Sequence, residues 1–131
     1  MTGIKDLNTL LSSMRPELNQ DEYVFCTVNQ SLLNCIRFDP IATFKEKEGL
    51  TLILSKCSAD LAGLEYSGTY KMITLTVHSS LEAVGLTAAV AAKLAAKGIS
   101  ANVVAAYYHD HIFVQSDRAE GAILALGEFN E

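Results

Sequence analysis

The sequence predicts an α+β fold of two βαββαβ units in tandem, the first of them degenerate. Three observations carry that expectation. Between Val77 and Val114 a strand-like run, a polar loop, an alanine-rich helical run and two further strand-like runs follow one another. Strand-like runs rich in β-branched and aromatic residues recur along the rest of the chain. Two of these runs, with the residues after them, are repeated within the sequence.

Taken in order, Leu7, Leu10, Leu11 and Met14 recur at helical spacing, so residues 6–14 read as a short amphipathic helix that Pro16 ends. After a polar stretch, Tyr23–Val28 (YVFCTV) reads as a strand. Residues 29–40 show no clear element, and Asp39-Pro40 marks a turn. Ala42–Lys47 and Leu50–Ser55 form a predicted hairpin around Glu48-Gly49. Ser58–Leu64 makes a short helix, Gly68 a break, and Tyr70–His78 the next strand. A helix over Val84–Lys97 presents Leu86, Val90 and Leu94 as one stripe, with Lys93 and Lys97 turned to solvent. Gly98 suits the left-handed residue after a helix, and Ile99 can fold back on Leu94. Strands over Asn102–Tyr108 and His111–Gln115 follow. Asp117 and Glu120 have capping-box spacing and open a last helix to about Leu126.

The repeat ties these elements together. Val24-Phe25-Cys26-Thr27-Val28 with Asn29-Gln30-Ser31-Leu32 matches Ile73-Thr74-Leu75-Thr76-Val77 with His78-Ser79-Ser80-Leu81, 49 positions on. Leu52-Ile53-Leu54-Ser55 with Ala59-Asp60 matches Ile112-Phe113-Val114-Gln115 with Ala119-Glu120, 60 positions on. The growth in offset is worth about three helical turns. The second copy therefore carries a helix that the first has largely lost. Each copy follows the split βαβ, ferredoxin-like plan, which divides the chain into residues 1–67 and 68–131.

Bulk properties narrow the function. The 131 residues are 50% apolar and 19% charged, a globular composition, with a net charge of −5 and a pI near 5.1. No basic face suited to nucleic acid or to a membrane surface is visible. No apolar run approaches the length that spans a bilayer. The start, MTGIKDLNTLL, lacks the pattern of a signal peptide. Cys26, Cys35 and Cys57 are odd in number and show no CxxC spacing, so reduced thiols and a cytoplasmic location are expected.

Several motifs resemble those of ACT-type regulatory domains. They are Val77 to Gly85, Gly-Leu-Thr-Ala-Ala-Val (85–90), Leu-Ala-Ala-Lys-Gly-Ile (94–99), Asn-Val-Val-Ala (102–105) and His-Asp-His-Ile-Phe-Val (109–114). With Phe-Lys-Glu-Lys-Glu-Gly-Leu-Thr (44–51), the whole chain further resembles a bacterial family of small tandem ACT-like proteins. More distantly it resembles the ACT domains of aspartate kinase and of arginine sensors. The resemblance implies a non-catalytic regulatory or sensor module, homodimeric, that binds a small molecule, most simply an amino acid. The ligand is then expected at the strand–loop–helix junction, against a neighbouring unit. No catalytic domain, cofactor or resident metal is implied.

Physical chemistry assigns roles at that junction. A helix N-terminus offers backbone N–H groups to a ligand carboxylate, and Gly85 allows close backbone approach. Glu82 or Asp110 can pair an ammonium group. His78, Ser79 and Asn102 add hydrogen bonds, and Ser80, Val84, Leu86 and His109 complete the candidate set. The bland alternative makes Ser79 and Glu82 a capping box and Gly85 a packing residue. His109 and His111, with His78, are the only start of a metal site, and a hydrogen-bonded turn explains them as well. Tyr107 and Tyr108 read as packing residues with one exposed ring rather than base-stacking platforms. A protein-interaction or assembly domain without a metabolite is the competing function. A small enzyme using His78 or His109 is a weaker third, since His78 and Ser79 are adjacent and form no triad by themselves.

Overall fold

A computed structural model describes residues 6–76 and 85–130. The described chain runs α1 (Leu7–Ser13), β1 (Pro16–Val28), α2 (Leu32–Cys35) with a 3-10 turn (Ile36–Phe38), β2 (Ala42–Lys45), β3 (Leu50–Ser55) and α3 (Lys56–Ala62). It continues with β4 (Tyr70–Leu75), α4 (Leu86–Ala96), β5 (Asn102–Ala105), β6 (Asp110–Gln115), a 3-10 turn (Ser116–Arg118) and α5 (Ala119–Gly127), then a last 3-10 turn (Glu128–Asn130). Contacts divide it into two compact units. One, nested in sequence, is Asp21–Tyr70; the other, split in sequence, comprises the chain up to Gln20 and from Lys71 onward.

In the nested unit the hydrogen-bonded strand order is β2-β3-β1, with β1 contributing the residues from Asp21. Both pairings are antiparallel: Phe25 lies opposite Ile53, and Ala42 opposite the same residue from the other side. The predicted hairpin forms, closed by the reciprocal Glu46–Gly49 backbone bonds of 3.0 and 3.3 Å. Period-2 alternation then sorts the side chains. Val24, Cys26, Leu50, Leu52 and Leu54 face inward with Cys35 and Ala59 from the helices. Residues 29–40, read from sequence as lacking an element, hold α2 and its 3-10 turn. Ser31 caps them through its hydroxyl, which accepts from Asn34 N. Four α-helical residues are too few to display a 3.6 period.

In the split unit the order is β1-β4-β6-β5, β1 contributing its residues up to Gln20. β4, α4 and β5 form a split βαβ with β6 between the strands, and α5 follows. Among the described residues no strand follows α5. The strand position that a βαββαβ unit fills last is filled here by the start of β1. Pro16-Glu-Leu-Asn-Gln-Asp-Glu reads as polar loop in sequence, yet it is strand. Pro16 occupies the tolerated first position, and the chain is tied by Thr76 N donating to Arg15 O at 2.9 Å.

The split unit's core joins Ile73 and Leu75 of β4, Ile112 and Val114 of β6, and Leu86, Val90 and Leu94 of α4 with the buried alanines of α5. Leu10 of α1 and Met14, its C-cap, complete it. Asp6 caps α1 by accepting from Thr9 N, and Asn130 Nδ2 donates to Leu11, Ser12 and Met14 carbonyls at the helix's other end. The end of α4 is the predicted Schellman closure. Gly98 has φ +73°, Gly98 N donates to Ala95 O, and Ile99 N reaches Leu94 O at 2.9 Å. The predicted Asp117–Glu120 capping box does not form at α5. That helix follows a 3-10 turn, and its N-cap is Arg118, with no side-chain cap bond.

Truncating Leu94 removes a fully buried member of the α4 stripe. Leu94→Ala is expected to cost about 2–5 kcal/mol in urea unfolding, whereas Lys97→Ala on the exposed flank should change stability by less than about 0.5 kcal/mol.

Candidate ligand-binding sites

Five of the sequence-predicted site residues, His78, Ser79, Ser80, Glu82 and Val84, lie outside the described residues. The others are placed. Gly85 caps α4 in the left-handed region at φ +96°. The helix begins at Leu86, and the Ser79–Glu82 capping box lies outside the described residues. Gly85 has no side chain with which to cap α4. A Cβ at Gly85 would stand 3.1 Å from Leu7 Cδ2 of α1. Gly85 therefore answers a packing need as well as a turn. Leu86 is a core residue, packed with Val90 and Leu94.

The β5–β6 hairpin places the remaining three. Ala105 pairs with Asp110, and Ala106 N donates to His109 O at 3.0 Å, so Tyr107 and Tyr108 form the loop. The predicted strand to Tyr108 therefore ends at Ala105. Both tyrosines are exposed, and their rings meet edge to face at 5.0 Å. Asn102 lies at the far end of β5, opposite Phe113, whose carbonyl accepts from Asn102 Nδ2 at 3.1 Å. Three residues of strand, about 10 Å, separate Asn102 from Ala105, so the structure does not bring Asn102 together with His109 and Asp110.

His109, Asp110 and His111 do form one cluster. The two imidazoles lie 6.5 Å apart, and His111 Nδ1 shares a 2.9 Å hydrogen bond with Thr74 Oγ1 of β4, a partner the sequence did not indicate. His109 Nδ1 is buried and, among the described residues, meets no hydrogen-bond partner. Burial pulls the His111 imidazole below its usual value, with the His109 charge adding to that and Asp110 opposing it. Burial pushes the Asp110 carboxyl up against the opposing pull of the imidazoles. Among the described residues no group of three or more His, Cys, Asp or Glu side chains is arranged to hold a metal ion.

A second site was passed over in sequence although the repeat pointed to it. Asn29-Gln30-Ser31, the counterpart of His78-Ser79-Ser80, lines a cleft of about 400 Å³ in the nested unit, with Lys45, Glu46 and Gly49 across it. Val28, Leu32 and Leu50 supply its apolar lining. Glu46 Oε1 accepts from Thr51 Oγ1 at 2.6 Å, which holds the carboxylate in place. A Cβ at Gly49 would stand 2.9 Å from Thr27 Oγ1 and 3.0 Å from Val28 O, so only glycine fits where the hairpin meets this loop.

The sequence pattern of the ACT domain family matches residues 2–71, and a second ACT domain pattern matches residues 67–128. A Vibrio cholerae protein described as of unknown function, a possible transport protein, shares 61% identity over 99% of this chain and 100% of its own, with a TM-score of 0.90. An Agobacterium tumefaciens protein superposes with a TM-score of 0.71 at 13% identity, covering 89% of each chain. The regulatory subunit of aspartate kinase from Thermus flavus gives a TM-score of 0.66 at 10% identity, over 89% of this chain and 97% of its own. The last two show the shared fold. No protein of curated function matches. No described helix is long and apolar enough to cross a membrane.

Folded His111 resists protonation while the unfolded residue protonates near 6.5, so stability should fall as the pH drops through that value, and His111→Asn should flatten the slope. Folded Asp110 holds its proton more readily than the unfolded residue, whose value is 3.8. Its burial thus costs stability above the raised folded value, and Asp110→Asn should stabilise the protein at neutral pH with a gain that fades as the pH falls to that of the unfolded carboxyl. Urea titrations across the acid range read both. Separately, Gly85→Ala forces a side chain into the left-handed region against Leu7 and should cost about 1–2 kcal/mol with no ligand present, which makes it a fold variant rather than a site variant.

Proposed function

The chain belongs to the ACT domain family, with two family copies in tandem, and from that premise we propose that it is a non-catalytic, cytoplasmic module that binds a free amino acid and acts as a sensor or regulator in a homodimer. ACT domains are typically regulatory amino-acid-binding modules. The observation that carries the reading for this chain is the nested unit's cleft. It sets a cation, Lys45, beside a carboxylate, Glu46, above an apolar floor. A zwitterion has the complementary pattern: its carboxylate meets Lys45 and the backbone at Ser31–Leu32, its ammonium meets Glu46, and its side chain lies against Leu32 and Leu50. The volume suits one amino acid.

The second copy, residues 68–131, supplies the repeat-related junction. There His78, Ser79, Ser80, Glu82, Val84 and Gly85 would be the ligand-facing set, with the His109–Asp110 turn as flanking polar groups. Leu86 and Asn102 drop out of that set because one is core and the other stands at the far end of β5. Binding would act by shifting populations between states of different affinity for a partner.

A thermal-shift screen against the twenty amino acids tests the reading. At about 100-fold excess over the dissociation constant a true ligand adds about 2.7 kcal/mol, several degrees in Tm, and Glu46→Ala with Lys45→Ala should remove the shift without lowering the unliganded Tm. A folded protein that answers to none of the amino acids would overturn it.

A further inference from the structure

The charges of the nested cleft are matched in number by those of a free amino acid. Among the described residues that line it, Lys45 and Glu46 alone carry charge. The Lys45 ammonium has no ion-pair partner among the described residues, so it is open to a carboxylate. Glu46 gives Oε1 to the Thr51 hydroxyl and presents its other oxygen. With a zwitterion seated on these two groups, no charge remains in the cleft to receive a charged side chain. Arg37, in the same unit, borders a separate groove that Gln30 also lines. It is held there by a 3.0 Å bond from Nη1 to Asn34 O and by the Phe38 ring 4.6 Å away.

The floor supplies the complementary half of the argument. Val28 and Leu50 are opposed residues of the β1–β3 ladder, so their side chains share one face. Leu50 is 6% exposed, and Leu32, the first residue of α2, is 37% exposed. The polar lining is engaged elsewhere or faces water: the Ser31 hydroxyl accepts from Asn34 N, and Asn29 and Gln30 are exposed. An uncharged hydrocarbon chain gains by covering this floor, whereas a charged one would give up water with no partner in return. The internal repeat keeps the same choice. Val28, Ser31 and Leu32 recur as Val77, Ser80 and Leu81, while Asn29 and Gln30 are exchanged for His78 and Ser79. The apolar positions are thus shared by the two copies, and their polar neighbours are not.

We propose that the cleft selects an amino acid with an uncharged aliphatic side chain, and that Leu32 sets this preference. Val28 and Leu50 also pack in the unit's own core. Leu32 does not, and its exposed surface is available to a ligand's side chain. The inference rests on the amino-acid reading of this cleft and narrows it to one side-chain class.

Isothermal titration of the full chain tests it, with alanine, 2-aminobutyrate and norvaline as a graded series and aspartate, glutamate and lysine as the charged set. The dissociation constant should tighten about 4-fold with each added methylene, and the charged set should bind at least about 10-fold more weakly than norvaline. Leu32→Arg, at a half-exposed position, should keep the Tm, flatten the methylene series and move the preference towards glutamate. A charged amino acid that binds as tightly as norvaline, or a series that a folded Leu32→Arg protein leaves intact, overturns the selection and leaves amino-acid binding standing. The wild-type series decides the side-chain class by itself, whatever the Tm of the variant. If none of the twenty amino acids binds the wild-type chain, the amino-acid reading falls and this inference falls with it.

Discussion

Leu86, Val90 and Leu94 form one buried stripe of α4 against Ile73, Leu75, Ile112 and Val114, and the split unit is organised by that contact. Each of these side chains contributes about 1.5–3 kcal/mol when fully buried. The stripe lies flat on β4 and β6 beside the small, half-buried Ala89 and Ala91, and the helix stops cleanly before Gly98, where the chain turns towards β5. Once α4 is seated, the part of the core it leaves open is closed from elsewhere in the sequence. Leu10 of α1 and Met14 just after it fill it, and Asn130 holds the carbonyl end of α1 in place.

The nested unit builds a similar sheet face with a different helix supply. Its inner face is as apolar, and Cys35 and Ala59 pack on it, but the shortened crossover covers less. Two consequences follow from this one shortening. The strand–loop–helix junction opens into a cleft beside Lys45 and Glu46, and Leu61 on α3 is left exposed. The ligand-sized space and the apolar surface are thus two results of a single change in length between the copies.

Much of the architecture was legible in the sequence because the responsible signals are local. The β2–β3 hairpin, the α4 stripe and the Gly98–Ile99 closure each follow from neighbouring residues whose chemistry allows little else. What was not legible depends on partners distant in sequence. Glu17, Asn19 and Asp21 are poor strand formers, and β1 starts at Pro16 only because strands elsewhere in the chain pair with it. The Asp117–Glu120 spacing promised a cap that the preceding 3-10 turn displaces. Of the site, the β–loop–α motif and the His109–Asp110–His111 turn could be read, and so could the repeat that relates Asn29-Gln30-Ser31 to His78-Ser79-Ser80. The cleft itself could not, because it needs Lys45 and Glu46 brought against a loop some fifteen positions earlier. The Thr74–His111 bond joins two strands well separated in the chain and leaves no mark in either run.

The order of the units along the chain also has a kinetic side. Asp21–Tyr70 is an uninterrupted segment, whereas the other unit draws on residues from both sides of it. A nascent chain leaving the ribosome can therefore gather every strand of the nested unit while the partners of α1 are still being translated. During that interval Leu10 and Met14 have no core to enter, and the early segment carrying them must stay soluble on its own. The Asp6 cap and the serines of α1 suit that wait, and a chaperone that favours exposed leucines would find its substrate there.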